Sequence, residues 1–91
     1  MQVKSKFPLG RVVATPAAIN LLGHLEIDTL IMRHSFGDWG DICPDDAQVN
    51  EEALQDGDRL LSSYKSISGE KVWIITEADR SYTTVLLPSE Y

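Results

Sequence analysis

The chain has 91 residues, enough for one small domain and too few for a cofactor domain beside a substrate domain. Hydrophobic residues make up 43% of it, with only 4 Pro and 6 Gly, which excludes a disordered tail or a collagen-like repeat and supports a packed core. Eight basic against fourteen acidic side chains give a formal net charge of -6, which excludes the whole-surface attraction of a nonspecific nucleic-acid binder.

Residues 1–6 read as a flexible N-terminus and residues 7–91 as a single α+β domain, since no repeat or linker divides the chain. The opening MQVKSKFPLG lacks the apolar run of a secretory signal, and the lone Cys43 has no partner for an internal disulfide, so a cytoplasmic location is expected. The apolar stretches fall well short of the roughly 20 residues needed to cross a bilayer, so no membrane association is expected.

Residues 10–15 (GRVVAT) are short and β-branched and read as a strand or extended entry that stops at Pro16, with Thr15 as N-cap of a helix. Ala18, Leu21, Leu22 and Leu25 then recur at i, i+3, i+4 and i+7, one apolar helical face with Gly23 inside it. Asp28 reads as the N-cap of a second short helix over residues 29–34, which ends before Gly37 and Gly40. Pro44 with Asp45 and Asp46 opens a third helix, in which Ala47, Asn50, Ala53 and Leu54 share a face until Gly57.

The period then changes. LLSSYKS, KVWIITE and YTTVLLP are three β-rich runs separated by Ser68-Gly69 and by residues 78–81, which predicts an antiparallel meander. Val72, Ile74 and Thr76 fall on one face of the central run, Trp73 and Ile75 on the other. The expected fold is α+β: two or three short N-terminal helices packed on a C-terminal antiparallel β-meander of three to four strands.

The charge is uneven. Asp38, Asp41, Asp45, Asp46, Glu51, Glu52, Asp56 and Asp58 fall within 21 residues that contain no Lys or Arg. Such a run is a solvated helix face, a docking surface for a basic partner or a mimic of a phosphate backbone. GDWGDICPDD lacks the ligand alternation and sixth-position glycine of an EF-hand loop, and no His or Cys stands beside it at zinc-site spacing, so no metal is expected. Neither a P-loop nor G-x-G-x-x-G occurs, so no nucleotide cofactor is expected.

Trp39, between two glycines, reads either as an aromatic plug that locks the loop onto the core or as a ring that stacks on a ligand. His34, at the end of a short helix, caps carbonyls, fills a semi-buried gap or serves acid–base chemistry. In the sheet, Thr76 and Thr83 are expected near one hairpin end, where their hydroxyls and Arg80 would converge on an anion; ordinary turn and strand preferences account for the same residues.

The pattern R-H-x-x-G-D-W-G-D over residues 33–41, with N-x-x-A-L-x-x-G-x-R-L-L-S-S-Y over 50–64 and W-I-I-T-E-A-D-R-S-x-T-T-V-L-L-P-x-E-Y over 73–91, resembles a family of small proteins of bacterial plasmids and other mobile elements. Some of them carry labels such as plasmid-related protein or restriction-system subunit. The order of a histidine-bearing helix and a meander with Arg, Ser/Thr and Glu on its strands also resembles the barnase, EndoU, colicin and RelE-type ribonucleases. That second resemblance implies metal-independent RNA cleavage, with His34 as acid or base, Glu77 as a proton-transfer partner, Arg59 and Arg80 stabilising the phosphorus-centred charge and Thr83 as donor.

Two functions are therefore expected. The preferred one is a small acidic interaction protein of mobile elements that binds a basic protein surface, or modulates nucleic-acid machinery, through Asp38, Trp39, Asp41, Asp45, Asp46, Glu51 and Glu52. The alternative is the ribonuclease-like protein, with RNA as its partner. Homodimerisation through an exposed face of the meander is compatible with both.

Overall fold

Thr15 and Pro16 set the boundary between the first strand and the first helix. In the computed structural model, which describes residues 5–91, β1 (Arg11–Ala14) runs into Thr15. The Thr15 Oγ1 accepts the Ala18 N–H at 3.1 Å, and α1 (Pro16–Ser35) starts on the proline. The expected break at Asp28 is absent: Asp28 is exposed within the helix, and the chain leaves helical geometry at Gly23 instead, with φ 74° and ψ 168°. No L side chain adopts that conformation comfortably. The break re-phases the helix, so Ala18 and Leu22 before it and Ile27 and Leu30 after it face the core, while Leu25 is 85% exposed. The face read through Leu25 fails because the 3.6-residue period does not carry across a non-helical residue.

The next helix, α2 (Pro44–Asp56), follows the sequence closely. Pro44 opens it, Asp45 and Asp46 occupy its first turn, and Gly57 closes it with its N–H on the Ala53 carbonyl at 2.9 Å. Three antiparallel strands follow: β2 (Leu60–Lys65), β3 (Lys71–Thr76) and β4 (Tyr82–Leu86). β1 adds to β4 in parallel, giving the order β1-β4-β3-β2. The fold is α+β, but the sheet is mixed rather than a pure meander, and a strand precedes the helices.

Alternation along the strands gives each face its role. Tyr64, Val72, Ile74 and Val85 pack against Ala18, Leu22, Ile27 and Leu30 of α1. A second cluster joins Phe7, Trp39, Ala53 and Leu60. On the opposite face, Trp73 packs edge-on against Tyr91, with centroids 5.7 Å apart, beside the closing 3-10 turn Pro88–Glu90. The loose segment expected over residues 1–6 lies mostly outside the described residues; the Lys6 N–H donates to the Ser35 carbonyl at 2.7 Å.

The outer edge of β2 is closed by two devices. The Asn50 side chain donates to the Leu61 carbonyl at 2.7 Å and accepts the Leu61 N–H at 3.1 Å. Two residues on, the Ser63 N–H donates to the Trp39 carbonyl at 3.1 Å and its carbonyl accepts the Asp41 N–H at 2.6 Å. Both pairs occupy backbone groups that would otherwise template another strand. Asn50→Ala is therefore expected to destabilise the fold by about 2 kcal/mol, because it strands a donor and an acceptor in a half-buried site. Urea unfolding measures that loss, and an Asn50→Ala midpoint equal to wild type would refute the assignment.

Candidate functional site

Two places in the molecule concentrate polar chemistry, one interior and one exposed. The interior one is a chain of side chains between the end of α1 and the sheet. His34, Ser62, Thr76 and Thr83 each have 0% exposure. His34 Nδ1 lies 2.5 Å from Ser62 Oγ, and Nε2 lies 2.9 Å from Thr76 Oγ1. Thr76 Oγ1 is 2.7 Å from Thr83 Oγ1, which donates to the Leu9 carbonyl at 2.7 Å.

The last of these bonds fixes the direction of the others as far as the Nε2 atom of His34. Thr83 has one proton, and it goes to the Leu9 carbonyl, so Thr83 accepts from Thr76. Thr76 has then spent its own proton and accepts from Nε2–H of His34. Nδ1 is left as an acceptor for the Ser62 hydroxyl. Burial favours the neutral imidazole, whose single proton then sits on Nε2, and every member of the chain is satisfied. Burial pushes its pKa down from 6.5 to about 4. Phe7 and Trp39 pack around it with ring centroids 5.2 and 5.8 Å away.

The strand register does bring Thr76 and Thr83 together, as the hairpin reading expects. The anion expected between them is replaced by the imidazole on one side and the Leu9 carbonyl on the other. Arg80 is not part of this group. It sits at the β3–β4 turn with φ 59°, and its guanidinium donates to the carbonyls of Asp58 at 2.6 Å, Glu77 at 3.1 Å, Ala78 at 3.3 Å and Ala53 at 3.1 Å. Such a fork ties the end of α2 to the turn.

Arg59 lies elsewhere again, stacked 5.5 Å over the Tyr91 ring and bonded to its hydroxyl. Glu77 lines a separate shallow depression with Ala78, Asp79, Ser81 and Tyr82. The five residues of the ribonuclease reading therefore do not share a solvent-facing pocket. His34 and Thr83 are inside the protein because they satisfy each other's neighbours, whereas Arg59 and Arg80 are held by structural acceptors.

The exposed place is the acidic segment. Asp38, Asp41, Asp45, Asp46, Glu51 and Glu52 are all exposed, as are Asp56 and Asp58. Trp39 is the exception among the expected contact residues: it is 6% exposed, and its indole N–H donates to Glu51 Oε2 at 2.8 Å. The ring is a plug that fastens the loop to α2, so it offers no face to a partner.

Among the described residues a single ion pair forms, Arg33 Nε to Asp38 Oδ2 at 2.7 Å. Its hydrogen bond from Arg33 holds the Asp38 carboxyl below the ordinary carboxylate range. The other carboxylates of the run have no such cation. Beside α2 lies a notch of about 200 Å³ lined by Ile42, Asp46, Val49, Asn50, Arg59 and Leu61.

The sequence brings Thr76 and Thr83 together, marks the acidic residues and offers a gap-filling role for His34, but it does not give the partners of His34, Ser62 and Asn50. The available signal was polarity at inward positions: Ser62 and Thr76 alternate in phase with Leu60 and Ile74, and Asn50 shares a helical face with Ala47 and Ala53. Among the described residues, no group of three or more His, Cys, Asp or Glu side chains is arranged to hold a metal ion, and no helix is long and apolar enough to cross a membrane. Comparison of the chain with protein-family models, with curated proteins and with solved structures finds no match.

Proposed function

We propose that this protein is a non-enzymatic interaction module of the mobile-element kind that the sequence resembles, binding a basic protein segment through α2 and the loop before it. The observation that carries the reading is the charge imbalance on that surface. Of the eight carboxylates in residues 38–58, only Asp38 has a cationic partner within the described residues, so seven face solvent uncompensated. Like charges held close together repel one another, and a polycationic segment relieves that repulsion while being steered toward it.

The notch beside Asp46 offers apolar walls to the aliphatic stem of such a partner, while Arg59, stacked on the Tyr91 ring, also lines it. Ile42, Val49 and Leu61 form those walls, and Val49 is exposed. A lysine or arginine side chain lays its aliphatic stem on such walls while its charge meets the carboxylate at the rim. Basic surfaces of nucleic-acid machinery, which ordinarily face phosphate, have this chemistry.

The test is titration of a fluorescent lysine- and arginine-rich peptide, followed by anisotropy at increasing salt. Binding is expected to weaken steadily as salt rises. Asp45→Asn/Asp46→Asn/Glu52→Gln is expected to lower the affinity by at least about tenfold, whereas Asp79→Asn, at the β3–β4 turn, leaves it unchanged. Equal affinities for the triple variant and the wild type, with circular dichroism showing both folded, would sink the proposal.

A further inference from the structure

The two edges of the sheet are treated differently. At β2, Asn50 and the loop around Gly40 occupy the outward backbone groups of Leu61 and Ser63. At β1, the Arg11 N–H donates inward to the Ser81 carbonyl and the Thr15 N–H to the Val85 carbonyl, each at 3.0 Å. Alternation then turns the N–H and C=O groups of Val12 and Ala14 away from the sheet. Among the described residues nothing hydrogen-bonds to those four groups. The strand is short and bears one charged side chain, Arg11, but it has no proline, and Val12 and Val13 stand 43% and 38% exposed.

We infer that β1 pairs with β1 of a second copy, antiparallel across a two-fold axis at Val13, so that two four-stranded sheets become one. A two-fold axis perpendicular to the sheet makes the pairing antiparallel. Outward groups must meet outward groups, so Val12 stands opposite Ala14 of the second copy, and Val13 opposite Val13. That register forms four backbone hydrogen bonds and sets two β-branched side chains in the close cross-strand position.

The same register supplies charge complementarity. Arg11 falls opposite Thr15 of the second copy, and the Thr15 hydroxyl donates to Glu90 Oε1 at 2.7 Å. Arg11, Val13 and Thr15 alternate onto the sheet face that carries the closing turn with Glu90. Arg11 forms no ion pair within its own chain among the described residues, so each copy brings an unmatched guanidinium to a carboxylate of the other. Sliding the strands one way sets Val12 opposite Pro16, which has no N–H; sliding them the other way sets Arg11 opposite Val13, away from Glu90. An extended segment of another protein satisfies the backbone but not this reciprocal pair. α2 lies along the opposite edge, so dimerisation leaves both acidic surfaces open and stands or falls separately from the binding function.

Sedimentation equilibrium of the whole chain from low to high micromolar concentration tests the inference. The wild type is expected to approach twice the chain mass. Val12→Pro removes an outward N–H that the folded monomer does not use, and is expected to remain monomeric with its thermal transition preserved. Arg11→Glu is expected to raise the dissociation constant about tenfold or more, and adding Glu90→Arg to it is expected to recover affinity. A monomer at every concentration, or a dimer equally tight in Val12→Pro, overturns the β1 interface. Should Val12→Pro fail to fold, Arg11→Glu decides: an unchanged dissociation constant overturns the register.

Discussion

His34→Ala is expected to destabilise the protein by about 4 kcal/mol, a large share of the stability of a domain this size. Two losses combine in that figure. Removing a fully buried ring leaves a cavity between Phe7, Trp39 and the sheet. It also takes away the acceptor of the Ser62 hydroxyl and the donor to Thr76, leaving buried polar atoms without partners. Urea unfolding at pH 7 checks the prediction, and a loss below about 1 kcal/mol would mean that the polar chain contributes little to the fold.

The same residue gives the protein an acid-sensitive range. In the unfolded chain the imidazole takes up its proton near pH 6.5; in the folded protein burial defers that step to about 4. Between those values the unfolded state binds more protons, so stability is intact above 6.5 and falls as the pH drops toward 4. The interval corresponds to about 3 kcal/mol. No charged side chain among its hydrogen-bond or ring partners compensates the cation, since those partners are Ser62, Thr76, Phe7 and Trp39. Unfolding curves at pH 7, 5.5 and 4 should show a steep fall for the wild type. His34→Gln should be weaker at pH 7 and flatter below it. Parallel curves would show that the histidine ionises freely in the folded state.

Gly40→Ala is the second large effect, expected to cost at least about 3 kcal/mol and lower the melting temperature by more than about 10 °C. At φ 77° the backbone lies in the left-handed region, and an added Cβ would stand 2.2 Å from the Ser63 carbonyl oxygen and 2.5 Å from Tyr64 Cδ1. Neither neighbour is the free end of a flexible chain. Relief requires the loop to lift from β2, which breaks the bonds of Ser63 to Trp39 and Asp41 and draws the Trp39 plug with it. Gly57→Ala provides the comparison, because it has the same φ of 77° with nothing within 4 Å of the new Cβ. Its expected cost is about 1 kcal/mol, so the difference in melting temperature isolates the steric contact. Equal shifts in the two variants would show that the loop does not depend on the close approach.

Local signals in the chain were sufficient for several elements. Thr15 with Pro16 places a helix start, Pro44 and Gly57 bracket α2, and three β-branched runs separated by turn residues yield β2, β3 and β4. Each of these depends on residues within a few positions of one another. The acidic segment is equally legible, since a count of charges along the chain suffices to find it. The helix break was misplaced at Asp28 because a good capping residue and a glycine compete as boundary markers, and packing of Leu22 and Ile27 on one sheet chose the glycine.

What the chain alone determines is thus the inventory: an α+β composition, the ends of most elements and a concentration of negative charge. Tertiary structure decides the partners. Only the parallel pairing of β1 with β4 reveals an open edge, and only the meeting of α1 with the sheet turns His34 from a candidate acid or base into a neutral, sealed member of a hydrogen-bond chain. The physical reason is range. Caps, turns and periodicity act over a few residues, whereas burial, desolvation and hydrogen bonds between residues 28, 42 or 74 positions apart exist only once the chain has closed on itself.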